Sequence, residues 1–187
     1  MNTTLDMIIG LMYSGKSFEL IRRIRLVKVI DEEYIVVKPI IDNRYSDKNV
    51  ISTHNYDQED CVCVSRIDEI FEFDNFKKIK HIFIDEGQFF PDLKDSVMKL
   101  LEEFNKNVVL TGLDGDFKRE PFGEILDLIP KCNTCIKKNA LCKICKDGTK
   151  AIFSHRMSKC DNNQILVGSD KLYQSVCRKH YMELNSN

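Results

Sequence analysis

Gly10, Gly15, Lys16 and Ser17 stand in the pattern Gly-x4-Gly-Lys-Ser within "GLMYSGKS". That pattern does phosphate chemistry. Its glycines let the backbone curl until N–H groups, including that of Ser14, converge on a phosphate chain. The lysine reaches the β- and γ-phosphates, and the serine hydroxyl binds Mg2+. Further along, "HIFIDE" places three apolar residues before Asp85 and Glu86. An aspartate at the carboxyl end of such a strand anchors the metal a second time. A glutamate beside it can take a proton from an attacking hydroxyl or water, so Glu86 is the candidate general base. The two motifs together describe a site for the triphosphate of ATP with Mg2+. The cysteines form a third set. "CNTC" and "CKIC" are Cys-x2-Cys pairs and "CRKH" is Cys-x2-His, all spacings of metal ligands. A disulfide framework is the weaker reading of eight cysteines, because the nucleotide motif points to an intracellular setting.

These residues need elements to hold them. Residues 5–10 read as a strand entering the glycine loop, and 17–30 as an amphipathic helix leaving it, with Leu20, Ile21, Ile24, Val27 and Ile30 on one face. Strands are expected at 34–38, 81–85 and 107–113, a polar loop over 39–60, and a helix over 91–104 with Leu93, Val97, Leu100, Leu101 and Phe104 inward. Such alternation implies an α/β fold with a parallel sheet covered by helices over residues 1–130. After Pro130 the composition shifts to cysteine-rich, and 131–187 reads as a small metal-tied module.

The acceptor of the phosphoryl group must lie beside these motifs. "DEGQFFPD" puts Phe89 and Phe90 just past the candidate base, and "GLDGDFKREPFG" adds Phe117 and Phe122. Loops at the carboxyl ends of parallel strands line the ligand crevice, and aromatics there suit a flat ring or, equally for Phe90 and Phe122, the core. A net charge of -1 gives no basic stripe for nucleic acid, and no apolar run reaches the length of a membrane span. The N-terminal segment has no basic region or cleavage site of a signal peptide. A nucleic-acid motor and a zinc-knuckle interaction module are rival classes; size, charge and the intact Lys16, Ser17, Asp85 and Glu86 disfavour both.

"GLMYSGKSFELIRR", "NRYS…STH", "IDEGQFFPD", "LDGDFKREPFG" and "LVGSDKLYQSVCRKHY" together resemble the type II thymidine kinases, the cellular and poxviral kind, from about residue 5 to 182. The resemblance implies a RecA-like P-loop domain with a zinc-tied lasso domain. It implies transfer of the ATP γ-phosphoryl group to the 5'-hydroxyl of thymidine or deoxyuridine, a cytoplasmic homotetramer, and inhibition by thymidine triphosphate. By position it makes Glu86 the base, Ser17 and Asp85 the Mg2+ contacts, and Met12, Phe89, Leu113, Phe117 and Phe122 the lining of the thymine pocket. Tyr173 covers the nucleoside, and Gln164, Ile165, Leu166, Val167 and Gly168 read the pyrimidine edge through their backbone. Arg44 and Arg156 align near the phosphates. Asp116 replaces a usual threonine and works against binding of the triphosphate inhibitor.

Two ligand sets compete for the metal. The resemblance gives structural zinc on Cys142, Cys145, Cys177 and His180. Cys132 and Cys135, a departure from the family pattern, offer a compact four-thiolate site with Cys142 and Cys145. The first set is preferred because it ties the far end of the lasso back to the sheet domain.

Overall fold

The computed structural model describes residues 3–41, 50–52, 58–157, 164 and 172–186. In chain order its first strands are β1 (Leu5–Gly10), β2 (Tyr34–Pro39), β3 (Val50–Ser52), β4 (Gln58–Asp60), β5 (Val62–Val64), β6 (His81–Ile84), β7 (Asn107–Gly112) and β8 (Thr134–Lys138). Helix α1 (Lys16–Val29) follows β1, and α2 (Leu93–Glu102) follows β6. Six of the strands make one sheet in the order β5-β2-β6-β7-β1-β8, and every pairing in it is parallel. The strands with continuous apolar runs are its inner ones, as burial on both faces requires.

Each face is closed by a helix whose apolar stripe the sequence predicts. Leu20, Ile21 and Ile24 of α1 pack with Val36 and Phe83. Leu93, Val97 and Leu100 of α2 pack with Leu5, Met7, Ile82, Ile84 and Leu110 on the opposite face. The predicted stripes run too long. Ile30 lies past the end of α1 and is exposed, and Phe104 lies past α2, where its ring meets Phe71 and Phe76 at centroid distances of 4.9 and 5.1 Å. The polar stretch expected as a loop contains the antiparallel pair β3–β4, each strand three residues long and too short to show a period.

The sheet also continues past the compositional break at Pro130. Asn133 receives the Leu5 N–H on its Oδ1 at 2.8 Å and gives its own N–H to the Leu5 carbonyl at 2.8 Å, and β8 then runs along β1. Thr134 donates to Asp6 Oδ1 at 2.6 Å. Strand β8 is exposed along most of its length and carries lysines, so it has no apolar alternation to betray it. Beyond it lie the short pairs β9 (Ala140–Leu141) with β10 (Lys150–Ala151), and β11 (Phe153–Arg156) with β12 (Tyr173–Val176), then α3 (Arg178–Leu184). Their small core of Ala140, Cys142, Ala151, Val176, Cys177 and Tyr181 includes Leu11 of the glycine loop. Among the described residues no helix is long and apolar enough to cross a membrane.

Asp92, at the start of α2, ties that helix to a short 3-10 helix, Ile67–Glu72. It is buried, and its carboxylate receives the Ile67 N–H at 3.1 Å, the Asp68 N–H at 3.0 Å and the Ser96 hydroxyl at 2.6 Å. Replacing it with alanine strands buried donors. Urea unfolding of Asp92→Ala is expected to show a loss of about 3 kcal/mol; a loss below about 1 kcal/mol would show the donors finding other partners.

Candidate active site

Parallel pairing brings the carboxyl ends of β1, β7 and β6 to one edge of the sheet, and the candidate residues collect there. Gly10 ends β1 with φ 144°, and a Cβ at that position would lie 2.3 Å from the Lys138 carbonyl oxygen. Only glycine therefore lets the loop leave the strand against β8. The loop residues Ser14 and Lys16 both turn inward, and the Ser14 hydroxyl and Lys16 Nζ donate to the Leu11 carbonyl at 2.8 and 2.9 Å. Gly15, in left-handed conformation at φ 77°, caps α1, so the N-terminal end of a fourteen-residue helix faces the loop.

Asp85 follows β6 and is 5% exposed. Its carboxylate receives the Ser17 hydroxyl at 3.2 Å, the Thr111 hydroxyl, and the Glu86 N–H at 3.1 Å. A buried carboxylate needs such donors. The two residues predicted to share Mg2+ are thus in contact, and the fit of a small hard cation is one of chemistry: a hydroxyl and a carboxylate oxygen side by side. Glu86 sits next to this junction in left-handed conformation, at φ 52° and ψ 44°. Its Oε2 receives the Gln88 amide at 2.6 Å.

The residues predicted to line a nucleoside pocket lie on separate segments. Phe89 and Phe122 meet edge to face at 5.3 Å, with Phe122 buried and Phe89 half-buried. Phe90 is core, 1% exposed. Leu113 is buried and gives its N–H to Gln88. Phe117 lies under the Arg156 guanidinium, 3.5 Å from carbon to ring centroid, so Arg156 stacks on its ring. Met12 donates its N–H to Ser154, and Tyr13 its hydroxyl to the Tyr173 carbonyl. Gln164 gives its amide to Asp116 Oδ2 at 3.0 Å and to the Pro121 carbonyl at 3.3 Å. The other Asp116 oxygen takes the N–H groups of Lys118 and Glu120 at 2.8 and 2.9 Å. The carboxylate read as an electrostatic obstacle is therefore also the closure of its own loop. Arg44, Ile165, Leu166, Val167 and Gly168 lie outside the described residues.

Thr111, Gln88 and Lys138 were missed by sequence reading. Thr111 is a polar residue at the end of an otherwise buried strand, which is a usable signal. Lys138 Nζ comes within 4.0 Å of the point where a Gly15 Cβ would stand, and no local pattern connects those positions.

The metal ligands separate cleanly. The donor atoms of Cys142, Cys145, Cys177 and His180 all lie within 4.8 Å of one another. His180 Nδ1 is 3.5, 3.4 and 3.3 Å from the three sulfurs, and the Cys145 and Cys177 sulfurs are 3.8 Å apart. A zinc tetrahedron with Zn–S of about 2.3 Å and Zn–N of about 2.0 Å has S···N edges of about 3.5 Å and S···S edges of about 3.8 Å. The set has the size and chemistry of a zinc site. Burial alone would push the Cys142 thiol up, but the N–H groups of Cys145, Cys177 and Ile144 and the His180 ring outweigh it and bring it down to about 6. Cys132 and Cys135 stand at the start of β8 and take no part, so the compact four-cysteine arrangement does not form.

A parallel sheet with a glycine loop, a lysine and serine opening the next helix, and a buried aspartate at the end of β6, two strands away, defines a P-loop nucleotide-binding protein. The sequence model of the thymidine kinase family matches residues 3–181, and the chain belongs to that family. It is 38% identical over 178 residues to thymidine kinase a of Arabidopsis thaliana, covering 94% of this chain and 73% of that protein. It is 37% identical over 179 residues to the thymidine kinase of vaccinia virus (strain Western Reserve), covering 96% of this chain and 97% of that one. The monkeypox virus thymidine kinase gives the same figures. The activity is that of an ATP-dependent thymidine kinase.

Zinc analysis tests the ligand set. Cys177→Ser is expected to lose the metal, whereas the double change Cys132→Ser and Cys135→Ser retains one zinc per chain. Protons compete for the thiolates, so zinc affinity is expected to weaken as the pH is lowered. Loss of zinc from the double variant with retention in Cys177→Ser would reverse the assignment.

Proposed function

We propose that the chain moves the γ-phosphoryl group of ATP to the 5'-hydroxyl of thymidine or deoxyuridine with Glu86 as general base. The observation that carries this reading is the contact of Asp85 with Ser17, with Glu86 as the next residue. Lys16 and the loop amides, including those of Gly10, Ser14 and Gly15, hold the phosphates and take up charge that grows in the transition state. Ser17 and Asp85 would hold Mg2+, which would supply charge neutralisation at the phosphates. Glu86 accepts the proton of the 5'-hydroxyl as that oxygen attacks in line. Phe89, Phe117 and Phe122 with Met12, Leu113 and Tyr173 enclose the base of the nucleoside. The backbone of Gln164, Ile165, Leu166, Val167 and Gly168 reads its polar edge, and a wrong ring leaves buried polar groups unpaired. Arg44 serves the phosphates. The Cys3His cluster holds structural zinc and supplies no chemistry.

The family supports three further readings: a symmetric homotetramer, a cytoplasmic location, and feedback by thymidine triphosphate. Occupation of both Asp116 oxygens, one by N–H groups of its own loop and the other by the Gln164 amide, supports the last.

Transfer of γ-phosphate label from ATP to thymidine tests the roles. Glu86→Gln is expected to slow it by about 10² to 10⁴ while ATP binding persists. Lys16→Ala is expected to abolish transfer and leave part of the thymidine affinity, because the nucleoside pocket is built from other segments. Turnover of Glu86→Gln within about 3-fold of the parent would remove Glu86 from the base role.

A further inference from the structure

Gln88 is a plain glutamine by type and is 3% exposed. Its Nε2 donates to Glu86 Oε2 at 2.6 Å, and its Oε1 accepts the Leu113 N–H at 2.9 Å. The two contacts fix each other. The Leu113 amide offers only a donor, so it takes the oxygen, which turns the NH2 group onto Glu86. Two glycines make the room. A Cβ on Gly112 would lie 2.6 Å from Gln88 Oε1, and one on Gly123 would lie 2.4 Å from the Gln88 carbonyl oxygen. Gly123 also has φ +60°. Glu86 meanwhile holds a left-handed backbone that costs a non-glycine residue about 1–3 kcal/mol, and such strain persists only where the surroundings enforce it. Here Asp85 Oδ1 holds the Glu86 N–H and Gln88 holds its carboxylate.

We propose that Gln88 is a positioning residue: it sets the Glu86 carboxylate in the orientation from which it accepts the 5'-hydroxyl proton, an inference that rests on Glu86 being the base. Gln88 holds Oε2 and so fixes the orientation of the whole carboxylate. It also binds the base to Leu113, a wall of the nucleoside pocket at the end of β7, so base and pocket are registered by one side chain. Glutamine alone combines donor and acceptor at this reach. Glutamate would oppose two carboxylates, methionine would leave the Leu113 amide unpaired, and asparagine is one methylene short.

The test measures single-turnover label transfer and steady-state KM for Gln88→Glu and Gln88→Met, each also combined with Glu86→Gln. Gln88→Glu keeps an acceptor for the Leu113 N–H and replaces the donor to Glu86 with a second carboxylate, so it remains informative where Gln88→Met fails to fold. Both single variants are expected to lose about 10- to 100-fold in rate. KM for thymidine and for ATP should stay within about 3-fold. In the Glu86→Gln background the same changes should cost less than about 2-fold, because the group they position is already unable to accept a proton. Parent-like turnover in Gln88→Glu, or an equal loss in both backgrounds, overturns the proposal and makes Gln88 a packing residue. Parent-like turnover in Glu86→Gln alone is a separate result: it removes the base reading and the Gln88 role with it.

Discussion

Asp85 is a carboxylate in a place where a carboxylate is costly. It is nearly buried, and it is held by a hydroxyl from the glycine-loop helix, a hydroxyl from β7 and the N–H of the next residue. Those donors arrive from three neighbouring strand ends, and they arrive together only because every strand of the sheet points the same way. The pairings Ile9 with Gly112 and Ile84 with Leu110 set Ser17, Thr111 and Asp85 at one level. A slip of one residue in either pairing would turn β7 over and send Thr111 to the other face. The burial of one charge thus depends on the whole register of the sheet, and the phosphate loop and Glu86 take their places from it.

The second constraint is that the C-terminal segment has little core of its own. Among the described residues seven buried ones make up its cluster, and one of them, Leu11, belongs to the phosphate loop. Four ligands drawn from 142–145 and 177–180 fix that segment, and a single ion can replace a core of many side chains. From there Tyr181 donates to the Phe117 carbonyl at 2.8 Å, and Ser154 accepts from Met12. These two bonds tie the segment held by the Cys3His cluster to Phe117 and to Met12 of the glycine loop.

Much of this was legible before any coordinates. The phosphate loop, the inner strands and the two covering helices announce themselves by local pattern, because burial on one stripe or both faces imposes a period. The cysteine spacing marked the ligand pairs, although it allows both sets; the resemblance supplied Cys142, Cys145, Cys177 and His180, and the need to tie the lasso back to the sheet decided for them over the four-cysteine alternative. Strand β8 was silent because an exposed edge strand has no apolar pattern. Gln88 and Lys138 were silent for another reason: their partners, Leu113 and Gly15, are brought to them by the sheet, and no short stretch of sequence contains both sides of either contact. Asp116 was seen but given only a ligand-facing role, because its bonds to Lys118, Glu120 and Gln164 need the loop's closed shape.

The central claim is that this edge of the sheet passes a phosphoryl group to a nucleoside, and does not merely bind or hydrolyse ATP. The direct measurement is ADP formation in the presence of Mg2+, with and without thymidine, alongside recovery of the nucleoside product. ADP should form rapidly only when thymidine is present, one for each 5'-monophosphate. ADP formation at the same rate without a nucleoside would contradict it, because the acceptor would then be water.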